Sequence, residues 1–178
     1  NLTNIFDNVT PANHQTYAYE PANRLQNAAG SWGAKTFYYD HVGNRIEERS
    51  TPPGGSQVID SYGYPATSNR LVQITRGAQT VRTLAYDNAG NLTSDSGVAT
   101  NNTYVYNKRN RLQQASIGAI QWTYVYNGLE QLITRTRVGA APADVTHYIH
   151  DIWGNVIAET DGGGATGAAG TVREYIYL

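Results

Sequence analysis

Apolar and polar positions alternate along this chain in short runs, and each run is closed by a polar, glycine-containing cluster. Leu84-Ala85-Tyr86-Asp87-Asn88-Ala89-Gly90-Asn91-Leu92-Thr93 is a clear instance. It predicts a strand ending at Tyr86, a tight turn from Asp87 to Gly90 and a second strand leaving through Leu92. Aspartate suits the first turn position because its carboxylate accepts hydrogen bonds from backbone N–H groups two residues on, and glycine suits the last. A Gly90 at positive φ acts as a bulge residue that lets the two arms close into a twisted hairpin. No stretch sustains a helical period.

The pattern recurs. The second aromatic of each Tyr-x-Tyr-like pair falls at Tyr19, Tyr39, Tyr64, Tyr86, Tyr106, Tyr126, His150 and Tyr177, with successive spacings of 20, 25, 22, 20, 20, 24 and 27 residues. Each interval holds two short strands and two turns, so the chain reads as one array, residues 1–178, of about seven to eight hairpin repeats. Two kinds of turn alternate over the first five units. One is Asp-x-x-Gly-Asn, at Asp40 to Asn44 with Gly43, at Asp87 to Asn91 with Gly90, and at Asp151 to Asn155 with Gly154. The other ends in Asn-Arg-Leu, at Asn23, Asn69 and Asn110, with Asn127-Gly128-Leu129-Glu130-Gln131-Leu132 as a degenerate copy. Alternation implies that neighbouring turns have different surroundings.

Ahead of the turns, Tyr17 and Tyr19, Tyr62 and Tyr64, Tyr104 and Tyr106, and Tyr124 and Tyr126 stand two apart and share a strand face; Tyr39, Tyr148, Tyr175 and Tyr177 fall in equivalent arms. An aromatic ladder along the sheet is the expectation, each cross-strand pair contributing roughly 0.2–1 kcal/mol. The second arms, such as Arg45 to Arg49 and Leu132 to Arg137, are more polar and are expected to be half exposed. Asn27 to Ser31, Thr51 to Ser56 and Asp161 to Gly164 read as connecting loops, rich in small or turn-forming residues.

Composition narrows the reading. Of 178 residues, 40% are hydrophobic and only 15% charged, while 18 glycines and 14 tyrosines point to a β-rich protein with ample material for a core. A formal charge of −1 gives no field to recruit nucleic acid. Cysteine is absent, which removes disulfides, thiolate metal sites and a cysteine nucleophile. No apolar run approaches the length of a membrane helix, so membrane insertion is not expected. Methionine is absent even at position 1, Asn1-Leu2-Thr3 matches Asn91-Leu92-Thr93, and Tyr175-Ile176-Tyr177 matches the arm that precedes a turn. The array is therefore expected to start and stop in mid-repeat, as an interior piece of a longer one or a subunit completed by its neighbours.

Candidate chemistry is sparse. The repeated aspartates could suggest calcium, but each unit offers one carboxylate that the turn already employs. His147, His150 and Asp151 come nearest to a transition-metal cluster, yet positions 147 and 150 point to opposite strand faces and His150 replaces a repeat tyrosine. Glu47 with Glu48, or Asp151 with Glu159, could be imagined as a glycosidase pair, but polar decoration of strands explains them more simply. Trp32, Trp122 and Trp153 could stack on sugar rings; packing within the repeat is favoured over that. The sequons at Asn1, Asn8, Asn91 and Asn101 are read as incidental. No catalytic residue, cofactor or metal is expected.

Tyr39-Asp40-His41-Val42-Gly43-Asn44-Arg45 and Tyr86-Asp87-Asn88-Ala89-Gly90-Asn91-Leu92 resemble the defining motif of the YD-repeat, or Rhs-repeat, family, and the resemblance runs through nearly the whole chain. His147 to Asn155, with Glu159-Thr160-Asp161 and Val172 to Tyr175, looks like the final repeats leading to that family's core-associated region. The resemblance implies an all-β fold: tandem β-hairpins in a curved, spiralling antiparallel sheet that wraps into a hollow shell in long members. Such shells enclose toxins in bacterial polymorphic toxins and insecticidal toxin complexes, and related repeats occur in teneurins. It therefore implies a secreted or cell-surface bacterial protein. The Pro-rich, Asp-containing plug of self-cleaving members is absent, so autoproteolysis is not carried over. The expected function is a non-catalytic scaffold, its partners being the remainder of a repeat chain, identical subunits meeting at strand edges, or an enclosed toxin domain. A self-assembling or adhesive module, binding a surface glycan or forming a filament, is the alternative.

Overall fold

The computed structural model describes residues 1–99, 101–139, 144–161 and 172–177. The fold is all-β, and each strand takes its hydrogen-bonded neighbours from those adjacent in the chain. Two compact units are distinguished, Asn1–Leu84 and Ala85–Leu178.

The first unit contains β1 (Asn4–Ile5), a short 3-10 turn (Pro11–Asn13), β2 (Gln15–Tyr19), β3 (Leu25–Gly30), β4 (Gly33–Tyr39), β5 (Arg45–Thr51), β6 (Val58–Gly63), β7 (Gln73–Arg76) and most of β8 (Gln79–Tyr86). All its pairings are antiparallel. The second unit continues with β9 (Leu92–Gly97), β10 (Asn101–Tyr106), β11 (Leu112–Ile117), β12 (Ile120–Tyr126), β13 (Leu132–Arg137), β14 (Val145–His150), β15 (Val156–Asp161) and β16 (Val172–Glu174), again antiparallel. Among the described residues no helix is long and apolar enough to cross a membrane.

Burial is thin, because each unit is a layer of strands rather than two packed layers. Among the described residues only Ala28, Ala115 and Asp95 are fully buried. Ala28 lies between Tyr17 and Lys35 on the neighbouring strands, and Ala115 between Tyr104 and Trp122. A small side chain in the middle strand lets the flanking large ones close over it, which accounts for the 1% exposure of Ala115. The same logic corrects one expectation: Asn27 to Gly30 is not a connecting loop but the end of β3. Its run of small residues reflects packing beneath large neighbours. The Thr51 to Ser56 stretch does leave the sheet after Thr51, and Asp161 closes β15, while Gly162 to Gly164 lie outside the described residues.

The aromatic ladder also takes a different form. Apart from Tyr64, Tyr175 and Tyr177, which lie just beyond strand ends, the tyrosines are carried by β2, β4, β6, β8, β10, β12 and β14, and a strand from the second arm of a hairpin separates each from the next. Two strand spacings amount to about 9–10 Å, beyond the 4.5–7 Å of paired rings. Guanidinium groups fill part of the interval: Arg45 lies 4.5 Å from the Tyr62 ring centroid, Arg24 4.7 Å from Tyr39, Arg49 4.7 Å from Tyr38 and Arg135 4.9 Å from Trp122. Arg45, Arg49 and Arg135 of the half-exposed second arms, together with Arg24 of a turn, are thus the cationic partners of the aromatic first arms.

Candidate functional site

Hairpin connectivity brings the turns that follow the tyrosine arms to one end of the strands within each unit. Three of them share one geometry. The Asp40 backbone N–H donates to Asn44 O at 2.9 Å, and Gly43 N–H returns to Asp40 O at 3.2 Å. The Asp40 carboxylate accepts from the backbone N–H groups of Val42 (3.0 Å) and Asn44 (2.8 Å), and from Asn44 Nδ2 (2.9 Å). Asp87 accepts from Asn91 N at 2.8 Å and Asn91 Nδ2 at 2.9 Å; Asp151 accepts from Trp153 N, Asn155 N and Asn155 Nδ2, each at 2.9 Å. Gly43, Gly90 and Gly154 have φ values of 100°, 95° and 93°, the left-handed region that closes a three-residue hairpin loop.

These bonds hold the carboxyls below the usual aspartate range. At Asp87 and Asp151 the largest influence is the amide of Asn91 or Asn155. At Asp40 partial desolvation pushes upward, and the combined bonds from Asn44, Val42 and Gly43 outweigh it. The contact to the amide four residues on was not legible in the motif, although the invariable Asn after the glycine in all three turns was its signal.

Asparagine replaces aspartate in two other turns. Asn107 Oδ1 accepts from Arg109 N (2.9 Å) and Arg111 N (3.1 Å); Asn127 Oδ1 accepts from Leu129 N (2.9 Å) and Gln131 N (3.0 Å). The left-handed position is then filled by Asn110 at φ 59° and by Glu130 at φ 69°. Asn23, at φ 61°, does the same in the turn that Glu20 and Arg24 close with an ion pair.

Adjacent turns within each unit are joined through their side chains, and this explains their alternation. Where the preceding turn ends in a short Asn, its amide reaches an Asn in the next turn: Asn44 to Asn69 at 3.1 Å and Asn91 to Asn110 at 3.0 Å; the Asn1 amide makes the same kind of contact with Asn23 at 2.9 Å. Where it ends in a longer side chain, the next turn presents glycine. Arg24 Nη1 thereby reaches Asp40 O at 3.1 Å. A Cβ on Gly43 would lie 3.6 Å from that guanidinium, and one on Gly154 only 3.1 Å from Gln131 Nε2. Arg111 is the exception to the glycine rule. It meets Glu130 at 3.0 Å, with Arg109 on the other carboxylate oxygen at 2.5 Å, and together they hold the Glu130 carboxyl low.

The second tyrosine of a repeat adds another tie. Tyr19 OH donates to Leu2 O, Tyr39 to Leu25 O, Tyr64 to Arg45 O, Tyr126 to Leu112 O and Tyr177 to Val156 O, at 2.8–3.0 Å. Leu25, Arg45, Leu112 and Val156 each directly follow the turn of the preceding hairpin. The first tyrosines behave differently: Tyr17 bonds Gln15, Tyr62 donates to Glu48 at 3.2 Å and Tyr175 to Glu159 at 2.9 Å. Burial above all, with Glu48 adding to it, pushes the Tyr62 hydroxyl up to about 12 against the pull of Arg45. Tyr104, Tyr124 and Tyr148 stand opposite Ala115, Arg135 and Glu159, whereas Tyr86 and Tyr106 end β8 and β10.

The other candidate chemistry is dispersed. His147 pairs across to Thr134 and Thr160, while His150 stands opposite Val156 beyond a register shift. Glu47 is bonded to Arg49, and Glu48 to Lys35 and Arg45. Asp151 caps a turn while Glu159 accepts from Tyr175. Trp122 lies under Arg135, Trp32 is 40% exposed and Trp153, on a turn tip, is 81% exposed. Among the described residues no group of three or more His, Asp or Glu side chains is placed to hold a metal ion.

Sheet, turns and inter-turn bonds define a tandem β-hairpin repeat protein. In fold it is similar to crystal structures of TcdB2-TccC3, of TcdB2-TccC3-Cdc42 and of TcdB2-TccC3 without its hypervariable C-terminal region. Each matches with a TM-score of 0.62 at 14–15% identity, over 90% of this chain and 10% of that one. The chain thus spans about a tenth of the length of the structures it matches. No family model matches the sequence, and no curated protein does.

Proposed function

We propose that residues 1–178 are a single array of YD-type repeats forming a stretch of an Rhs-like shell wall, a non-catalytic scaffold that encloses or presents a toxin or other cargo in a secreted or surface bacterial protein. The observation that carries this reading is the repeated tie between consecutive turns, made by side chains whose size alternates with that of their acceptors. Such ties rigidify a sheet only one layer thick, which is what a wall requires. The fold likeness to TcdB2-TccC3 over 90% of the chain supports it. Protease digestion of the full-length parent protein, with cryo-electron microscopy of the same sample, tests it. A cargo segment resistant until the wall is denatured is the expected result. A freely digested cargo, or hairpins not arranged as a closed wall, would overturn it.

Association through exposed surface is a second reading, favoured by one observation. Leu129, Ile152 and Trp153 project from turn tips with 78%, 89% and 81% exposure. Light scattering over a concentration series is expected to show oligomers under this reading and a constant monomer mass without it.

A further inference from the structure

We propose that Asn127 is a site of spontaneous, fold-directed deamidation, and that its turn is built to accept the aspartate product. Asn127-Gly128 is the only Asn-Gly pair in the sequence. Gly128 carries no side chain to obstruct its own backbone nitrogen, and the space where its Cβ would stand is open. The Asn127 carbonyl is the electrophile. Its oxygen accepts two backbone N–H groups, from Leu129 at 2.9 Å and Gln131 at 3.0 Å, which polarise Cγ and stabilise negative charge developing on Oδ1.

The reaction balances with water alone. The Gly128 backbone nitrogen forms a bond to Asn127 Cγ and loses its proton as the Cγ–Nδ2 bond breaks, releasing ammonia and leaving a cyclic succinimide. Water then attacks one of the two ring carbonyls. Breaking the new N–Cγ bond yields aspartate with the native backbone; breaking the original peptide bond yields isoaspartate, which routes the chain through the side chain and inserts an extra backbone atom. The folded turn selects between them. The bond from Glu130 N to Asn127 O at 3.1 Å and that from Asn127 N to Gln131 O at 3.0 Å survive only in the aspartate product.

The product is already present elsewhere in the molecule. Aspartate occupies this turn position at Asp40, Asp87 and Asp151, where an amide four residues on donates to it. Asn127 now donates Nδ2 to Gln131 Oε1 at 2.6 Å. After conversion a rotated Gln131 amide donates instead, reproducing the Asp87–Asn91 arrangement with a charge-assisted bond. Asn107 is the internal control. Its Oδ1 has the same two-donor environment, but Lys108 follows it in place of glycine.

The full chain, held folded at mildly alkaline pH and sampled over weeks by peptide mapping, tests this against the same protein kept in urea. In the folded sample Asn127 is expected to convert with aspartate as the main product while Asn107 stays intact; in urea isoaspartate dominates. Asn127→Asp is expected to melt no lower than the parent, and Gly128→Lys to abolish conversion. Asn127 remaining intact in the folded protein, isoaspartate as its main folded product, a lower melting temperature for Asn127→Asp, or conversion persisting in Gly128→Lys would each overturn the proposal.

Discussion

The turns at 87–91 and 127–131 belong to the same unit and perform the same reversal with opposite inventories. The first has a charged carboxylate at its opening position and glycine at the left-handed one. The second has a neutral amide at the opening and a charged Glu130 at φ 69°. In the first, charge is used within the turn, where Asp87 gathers the amide and backbone of Asn91. In the second it is used between turns, where Glu130 meets Arg109 and Arg111 of the preceding hairpin. The difference teaches that the repeat conserves a backbone path rather than a residue pattern. What the 127–131 turn needs is decided by the side chains arriving from the turn before it.

The largest separation between the two turns is expected from glycine replacement. Gly90→Val forces a β-branched residue to φ 95° and should cost about 2 kcal/mol in urea unfolding. Gly128→Val, at a position without left-handed φ and with open space around it, should fall within about 0.5 kcal/mol of the parent. Equal losses would break the comparison. Asp87→Ala comes next: it leaves the Asn91 backbone and side-chain amides without their acceptor, and should lower the melting temperature more than Asn127→Ala does.

Acid acts on both turns in the same direction, because the Asp87 and Glu130 carboxyls are both held low. A carboxyl held below its ordinary value of 3.8 in the folded protein stabilises it above that pH, and the contribution is lost as pH falls through the lowered value. Melting temperature followed from about pH 5 downward should therefore decline, and Asp87→Asn should flatten its share of the decline. An unchanged acid limb in the variant would remove Asp87 from the account. Glu130→Gly should have the smallest effect, since relief of the left-handed backbone offsets loss of the two arginine contacts. Its melting temperature is expected to stay near the parent value, with less dependence on salt.

Much of the fold was legible. Tyr39-Asp40 and Tyr86-Asp87 marked strand ends, the following glycines marked left-handed positions, and polar second arms marked strands whose guanidinium groups face aromatic rings. The Asn27 to Gly30 segment was misread because small residues serve both loops and crowded sheet positions, and only cross-strand neighbours tell these apart. Leu2, Leu25 and Leu112 gave no hint that their carbonyls receive tyrosine hydroxyls, since backbone acceptors leave no trace in side-chain identity. Asp95, 4% exposed, stands between Ser94 and Ser96 in a polar run that carries no sign of burial.

By itself the sequence determined the local reversals, because a carboxylate or amide at the opening of a turn and a residue tolerant of positive φ near its end act over five residues of contiguous chain. It also determined the repeat, whose period needs nothing but self-comparison. Tertiary structure alone decided which turn answers which: Arg24 over Gly43, Asn91 on Asn110, Arg111 on Glu130. Those pairs are about twenty residues apart, and they become neighbours only when the intervening strands have been laid side by side in register.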